Sequence, residues 1–207
     1  MTQEKTHVSF KTLVELVDKE TGEKLVSKSN SIHPQNLARV IARGLANEND
    51  HNIYLVALGN GGTYVDSTGV IRYNSPKTTG VDASLYNQTY FEVVDGSVSN
   101  GNSTSSIASI SDLTAVVNID MTIDANEPSG QWLTDAEGAN TVDNPATGAY
   151  VYEFDELGCF AKNPLYDSQN PSLHPEYLLL THIIFQPIAK SQNRQIQLSY
   201  AITISCS

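Results

Sequence analysis

Glu153, Asp155 and Glu156 lie within four positions of one another, flanked by Tyr152 and Phe154. Carboxylates this close could share a proton for general acid–base work or hold a divalent cation. The plainer reading is a solvated strand end. Five histidines (His7, His33, His51, His174, His182) are scattered so that no two share metal-ligand spacing on one element, and neither Cys159 nor Cys206 belongs to a CxxC pair. His33-Pro34 and His174-Pro175 suit loop or cap positions, and His182 suits a hydrogen-bonded place within a sheet. The two cysteines could pair if the fold brought them together; two buried free thiols is the plainer reading. Gly59-Asn60-Gly61-Gly62 follows an apolar run and invites a phosphate-loop reading. A dinucleotide site, however, needs a helix directly after its glycines, and Thr63 to Gly69 has no helical period, so a sharp turn is expected instead. No GxSxG elbow and no Gly-Lys-Ser/Thr occurs. Asn87-Gln88-Thr89 and Asn102-Ser103-Thr104 match a glycosylation sequon but carry little weight without a secretory signal. Trp132, alone in a polar stretch, could stack on a sugar or anchor a neighbouring subunit.

The elements that must position these residues are mostly strands. Residues 8–17 and 24–26 predict a hairpin around Glu20-Thr21-Gly22. His33-Pro34 opens a helix whose stripe is Leu37, Ile41 and Leu45, widened by Val40, with Arg39 and Arg43 on another face. This short amphipathic helix is expected to pack on one side of a sheet. Residues 53–58 (IYLVAL), 89–94, 113–123, 150–154, 178–188 and 195–206 read as strands. The alternation in 113–123 and 195–206 implies one buried and one wet face. Lys190 to Arg194 read as the turn of an antiparallel hairpin joining the last two strands. Polar loops are expected at about 63–88, 95–111, 124–148 and 161–177. The fold class is therefore mainly β: antiparallel, β-sandwich-like sheets with one short packed helix, in one domain spanning 1–207.

Composition narrows the function. Of the 207 residues, 12 are Lys or Arg and 23 are Asp or Glu, for a formal net charge of −11. Seven of the basic residues precede position 50, and none lies between Lys77 and Lys162. This argues against nucleic-acid and anionic-membrane partners, which require a basic footprint. No apolar run approaches the ~20 residues of a membrane helix. MTQEKTHVSF has no apolar h-region, so the start reads as that of a cytosolic chain. No cofactor or metal is implied.

In chain order, the Asn36–Leu45 helix leads into Val56-Ala57-Leu58-Gly59-Asn60-Gly61. Asp82-Ala83-Ser84-Leu85-Tyr86-Asn87 follows, then strands 113–123 and 150–154, read as a pair. Glu156-Leu157-Gly158-Cys159-Phe160 and the closing strands complete the series. This ordered set resembles the virion-attachment module at the N-terminus of bacteriophage tail-collar fibre proteins and related phage structural proteins, with Cys159 where Leu is common. Fibres of that family continue into a shaft and a receptor-binding tip, and this sequence stops after the module. The resemblance therefore implies a non-enzymatic virion protein, made in the host cytoplasm. It would serve as an adaptor of tail, collar or neck, or as a capsid-surface decoration subunit. Its partners would be copies of itself, as a homo-oligomer, and other virion proteins. Expected interface residues are Trp132, Tyr64, Tyr73, Tyr166, Arg39 and Arg43, and the family-like turns are Gly59, Asn60, Gly61, Glu156, Leu157, Gly158 and Phe160. The alternative is a carbohydrate- or host-receptor-binding module using Trp132 and the loop tyrosines.

Overall fold

The computed structural model describes residues 7–48, 52–94, 103–125, 127, 151–191 and 193–207. The first elements are β1 (Val8–Asp18), β2 (Lys24–Ser29), β3 (Ser31–Ile32), α1 (Pro34–Leu45), β4 (Ile53–Gly59), β5 (Thr63–Val65) and β6 (Ile71–Tyr73). Then come β7 (Gln88–Val93), β8 (Ser103–Ile110), β9 (Thr114–Ile123), β10 (Val151–Lys162), β11 (Tyr177–Ser191) and β12 (Ile196–Cys206). The fold is mainly β and antiparallel, as expected.

Two five-stranded sheets face each other, ordered β2-β1-β12-β9-β8 and β3-β11-β10-β4-β7. Between them lies a core to which the first sheet contributes Val14, Leu16, Ile119, Met121, Leu198 and Tyr200. The second contributes Val56, Leu58, Phe154, Leu157, Cys159 and Ile183. Each such side chain taken from water stabilises the fold by about 1.5–3 kcal/mol before entropy is counted. The outer face of the second sheet carries a further cluster, in which Leu55, Ala57, Phe160 and Leu179 are covered by Ala83 and Leu85 from the segment leading into β7.

That double cover explains two departures from expectation. The strands β11 and β12 do not form a hairpin: β11 pairs with β10 in the second sheet, and β12 pairs with β1 and β9 in the first. Likewise β9 and β10 belong to different sheets. Residues 178–185 of β11 are buried at every position, which suits a strand covered on both faces. The alternation of β9 and β12 suits a sheet with one wet face. The chain therefore changes layer where the pattern changes. Lys190, expected in a turn, is instead a buried residue of β11 with Nζ 2.6 Å from the Asp124 carbonyl. Burial lowers its pKa, against the attraction of Glu127 and Asp124. Two expected loops also contain strands: 63–88 holds β5 and β6, and 95–111 holds β8. A run as rich in serine as β8 has too few apolar residues to declare a strand.

The helix is correctly placed but packs less completely than expected. His33 Nδ1 accepts from the Asn36 N–H, capping a helix that Pro34 opens. Asn36 is fully buried, and its amide donates to the carbonyls of Leu179 and Val81. Leu37, Val40 and Ile41 line an apolar cavity of about 160 Å³ shared with Phe10, Ile53, Val117 and Leu180. Leu45, at the end of the stripe, is 84% exposed. Among the described residues no helix is long and apolar enough to cross a membrane.

Candidate functional site

The residues of the two expected glycine-bearing turns meet in space, but only the first is a turn: Asn60 and Gly61 follow Gly59 at the end of β4, whereas 156–160 is corrected to a stretch of β10 paired with a strand on each side. The strands β4 and β10 pair so that Gly59 opposes Glu156, Leu58 opposes Leu157 and Ala57 opposes Gly158. Glu156 is a hub. Its carboxylate accepts from the N–H groups of Gly61 (3.2 Å), Tyr86 (2.9 Å) and Asn87 (2.7 Å), and His182 Nε2 lies 3.0 Å away. The tautomer of His182 follows from its other contact. The Lys77 N–H can only donate, so Nδ1 accepts from it at 2.9 Å, and the ring proton on Nε2 is directed at Glu156. The contact is thus a hydrogen bond from a neutral imidazole to a carboxylate.

Asp155 does similar work one residue earlier. It accepts from the Gly62 N–H, the Thr63 N–H and the Thr63 hydroxyl. Adjacent residues of a regular strand point to opposite faces. An irregularity in the β10–β11 ladder between Phe154 and Glu156 accompanies the departure that lets both carboxylates reach the segment 61–63. Burial pushes the Asp155 carboxyl up to about 6, with the negative Glu156 adding to the rise and the Thr63 and Gly62 donors opposing it.

The glycines serve packing rather than phosphate. A Cβ on Gly59 would lie 2.2 Å from the Asn87 carbonyl oxygen and 2.6 Å from Glu156 Oε1. One on Gly158 would lie within 2.9 Å of side-chain atoms of Leu179, Phe160 and Leu85. Asn60 joins the same knot: its N–H donates to the Asn87 carbonyl, and its side-chain oxygen accepts from the Asn87 amide. Leu157 and Phe160 point into the two apolar clusters. The solvated strand end expected for Asp155 and Glu156 is therefore corrected, since they are 3% and 0% exposed. His182 holds the hydrogen-bonded place within a sheet expected for it, while its pairing with Glu156 and the part played by the backbone N–H groups of Tyr86 and Asn87 were not foreseen from the sequence. The one available signal was an aspartate–glutamate pair set among apolar residues, where solvation is hard to supply.

What the knot holds is a small arm. The β5–β6 hairpin starts at Thr63, the residue Asp155 grips, and its tip is closed by Asp66. That carboxylate accepts from the Thr68 N–H and hydroxyl, the Val70 N–H and Arg72 Nε. These donors, the Thr68 hydroxyl first, hold the Asp66 carboxyl well below the usual range. The arm presents Tyr64, Val65, Val70 and Tyr73, each about half exposed. Tyr64 opposes Arg72 while Tyr73 opposes Thr63, so the two tyrosines lie on opposite faces. The Tyr73 hydroxyl donates to Gln186 Oε1.

The other expected interface residues are dispersed. Tyr166 is half exposed in the segment before β11, while Tyr73 reaches Gln186, nine residues into that strand. Nine residues of strand span about 30 Å. Arg39 and Arg43 are on α1, and Arg43 bridges Glu48 at 3.1 Å. Trp132 lies outside the described residues. Both described cysteines are free; Cys159 is buried and Cys206 is exposed, so only one of the two buried thiols of the plainer reading is found. Among the described residues no group of three or more His, Cys, Asp and Glu could hold a metal ion. No family model, no curated protein and no solved structure matches this chain.

Proposed function

We propose that this chain is a non-enzymatic structural protein of a bacteriophage particle. It would act as an assembly adaptor of tail, collar or neck, or as a decoration subunit of the capsid surface. One observation carries the reading: the three short motifs of the family resemblance, at 56–61, 82–87 and 156–160, meet in one buried hydrogen-bonded knot, where Gly61, Tyr86 and Asn87 all donate to Glu156. Carboxylates sealed from solvent, with backbone N–H groups as their partners, support a bracing role over turnover. The braced hairpin with its half-exposed Tyr64, Val65, Val70 and Tyr73 is a surface suited to docking on other virion proteins, since aromatic side chains are favoured anchors at interfaces.

An antibody against the purified protein, applied to intact phage particles and viewed by electron microscopy, tests the reading. Label at one fixed position on the particle is expected. Particles that contain no such protein, by label and by mass spectrometry, would overturn it. The exposed tyrosines also favour a second reading, a carbohydrate- or receptor-binding module. Binding to a defined glycan on an array, lost on replacing Tyr64 and Tyr73, would establish that one.

A further inference from the structure

The outer face of the first sheet carries a trough. Along β12 the outward residues Ser199 and Ala201 are small. The flanking strands set Leu13 and Glu15 on one side and Asn118 and Asp120 on the other, in rows fixed by the pairings Glu15–Ser199–Asp120 and Leu13–Ala201–Asn118. Small side chains between larger ones leave a cleft of about 160 Å³ with walls two strand spacings, roughly 10 Å, apart. The cleft is acidic. The Lys24 ammonium sits 2.6 Å from Glu15, but among the described residues the Asp120 carboxylate takes only the Ser199 hydroxyl, at 2.7 Å. Among the described residues no cation reaches Asp120.

A complementary surface exists on the same chain. The helix α1 contains no acidic residue. Its solvent side is formed by Gln35, Ala38, Ala42 and Leu45, all exposed and spaced on one face, with Arg39 beside them. Alanines at 38 and 42 permit close approach to a sheet. Arg39 makes no ion pair among the described residues. The helix is tethered to the second sheet through Asn36 and the Leu179 carbonyl, so within one molecule it cannot reach the outer face of the first.

We propose that the trough on the first sheet receives α1 of a second copy, with the second copy's Arg39 forked onto Asp120 and its Leu45 against Leu13. Charge complementarity picks the partner: an uncompensated carboxylate in a cleft faces a helix whose charged residues are all basic, and a guanidinium can meet a carboxylate with two parallel hydrogen bonds. Leu45 at 84% exposure and Leu13 at 44% add the apolar part of the contact. The two surfaces differ, so a contact made in one direction is head-to-tail and builds a ring or a filament, while one made in both directions closes a two-fold dimer. This rests on the structural role proposed above and on the homo-oligomer that the family resemblance implies.

The test is sedimentation of the full chain over a concentration series, for wild type, Asp120→Lys, Arg39→Glu and the double variant. Wild type is expected to self-associate, less so in high salt. Each single variant should weaken association on the order of tenfold or more, and the double variant, with the pair reversed, should recover it. If wild type associates and the single variants do so equally well, the pairing is wrong while self-assembly stands. Weakening without recovery in the double variant also refutes the pairing. A wild type that stays monomeric at every concentration refutes both the pairing and self-assembly of the chain, while the particle labelling described above judges the virion role separately.

Discussion

At Glu156 three backbone N–H groups and a histidine converge on one side chain that water does not reach. Removing it leaves those donors buried without an acceptor, and each such group costs about 1–3 kcal/mol. Glu156→Ala should therefore lower unfolding stability by at least about 3 kcal/mol in urea titrations. An intact stability curve would show that water can replace the carboxylate. Gly158→Ala forces a methyl group among Leu179, Phe160 and Leu85 and should cost about 1–3 kcal/mol by the same measurement. Asp155 gives a pH signature. Its carboxyl titrates near 6 in the folded chain against 3.8 for the free group, so the folded state holds the proton more tightly. The stability it contributes is full below about pH 4 and is lost as pH rises through 6, on the order of 2–3 kcal/mol in all. Comparing wild type with Asp155→Asn between pH 4 and 7 should show that slope in the wild type alone. The opposite sign belongs to Asp18, whose carboxyl is held at about 2: its contribution is present above 3.8 and fades as pH falls toward 2.

At the scale of elements, the β5–β6 hairpin is secured at two points, Asp155 at its root and Asp66 at its tip. The two should separate experimentally. Asp66→Ala removes the acceptor shared by Thr68, Val70 and Arg72. Amide exchange at Thr68 and Val70 should then quicken severalfold, while the midpoint of global unfolding stays close to that of the wild type. A large global loss would mean that the arm is part of the cooperative core. Elements are legible in the chain where the hydrophobic pattern is long. The strands β9 and β12 alternate over ten or more residues and show their wet and buried faces directly. The strands β5 and β6, three residues each, are too short to display a period, and the serine-rich β8, though eight residues long, has too few apolar residues to mark a face.

At the scale of the whole molecule, the two thiols report on the layered architecture. Cys206 is exposed at the end of the first sheet, while Cys159 lies in the core between the sheets, where burial raises its pKa well above the ordinary thiol value. A thiol reagent should modify one cysteine per native chain quickly. The second should react only at the rate of global opening. Rapid reaction of both would mean that the sheets separate locally. The assembly proposed above operates at the same scale, since it needs one sheet face and one helix held rigidly apart by the sandwich.

The antiparallel β class, the capped helix at 34–45 and the facing of the long strands follow from the sequence alone, because hydrophobic period and cap chemistry act within a few residues. Tertiary structure decided which strands share a sheet and that β11 and β12 part into different layers. It also decided that Asp155 and Glu156 are sealed inside with His182. Those outcomes depend on contacts between residues up to about 200 positions apart, as where Val8 pairs with Cys206, whose energies become favourable only when both sides of the contact have already been brought together.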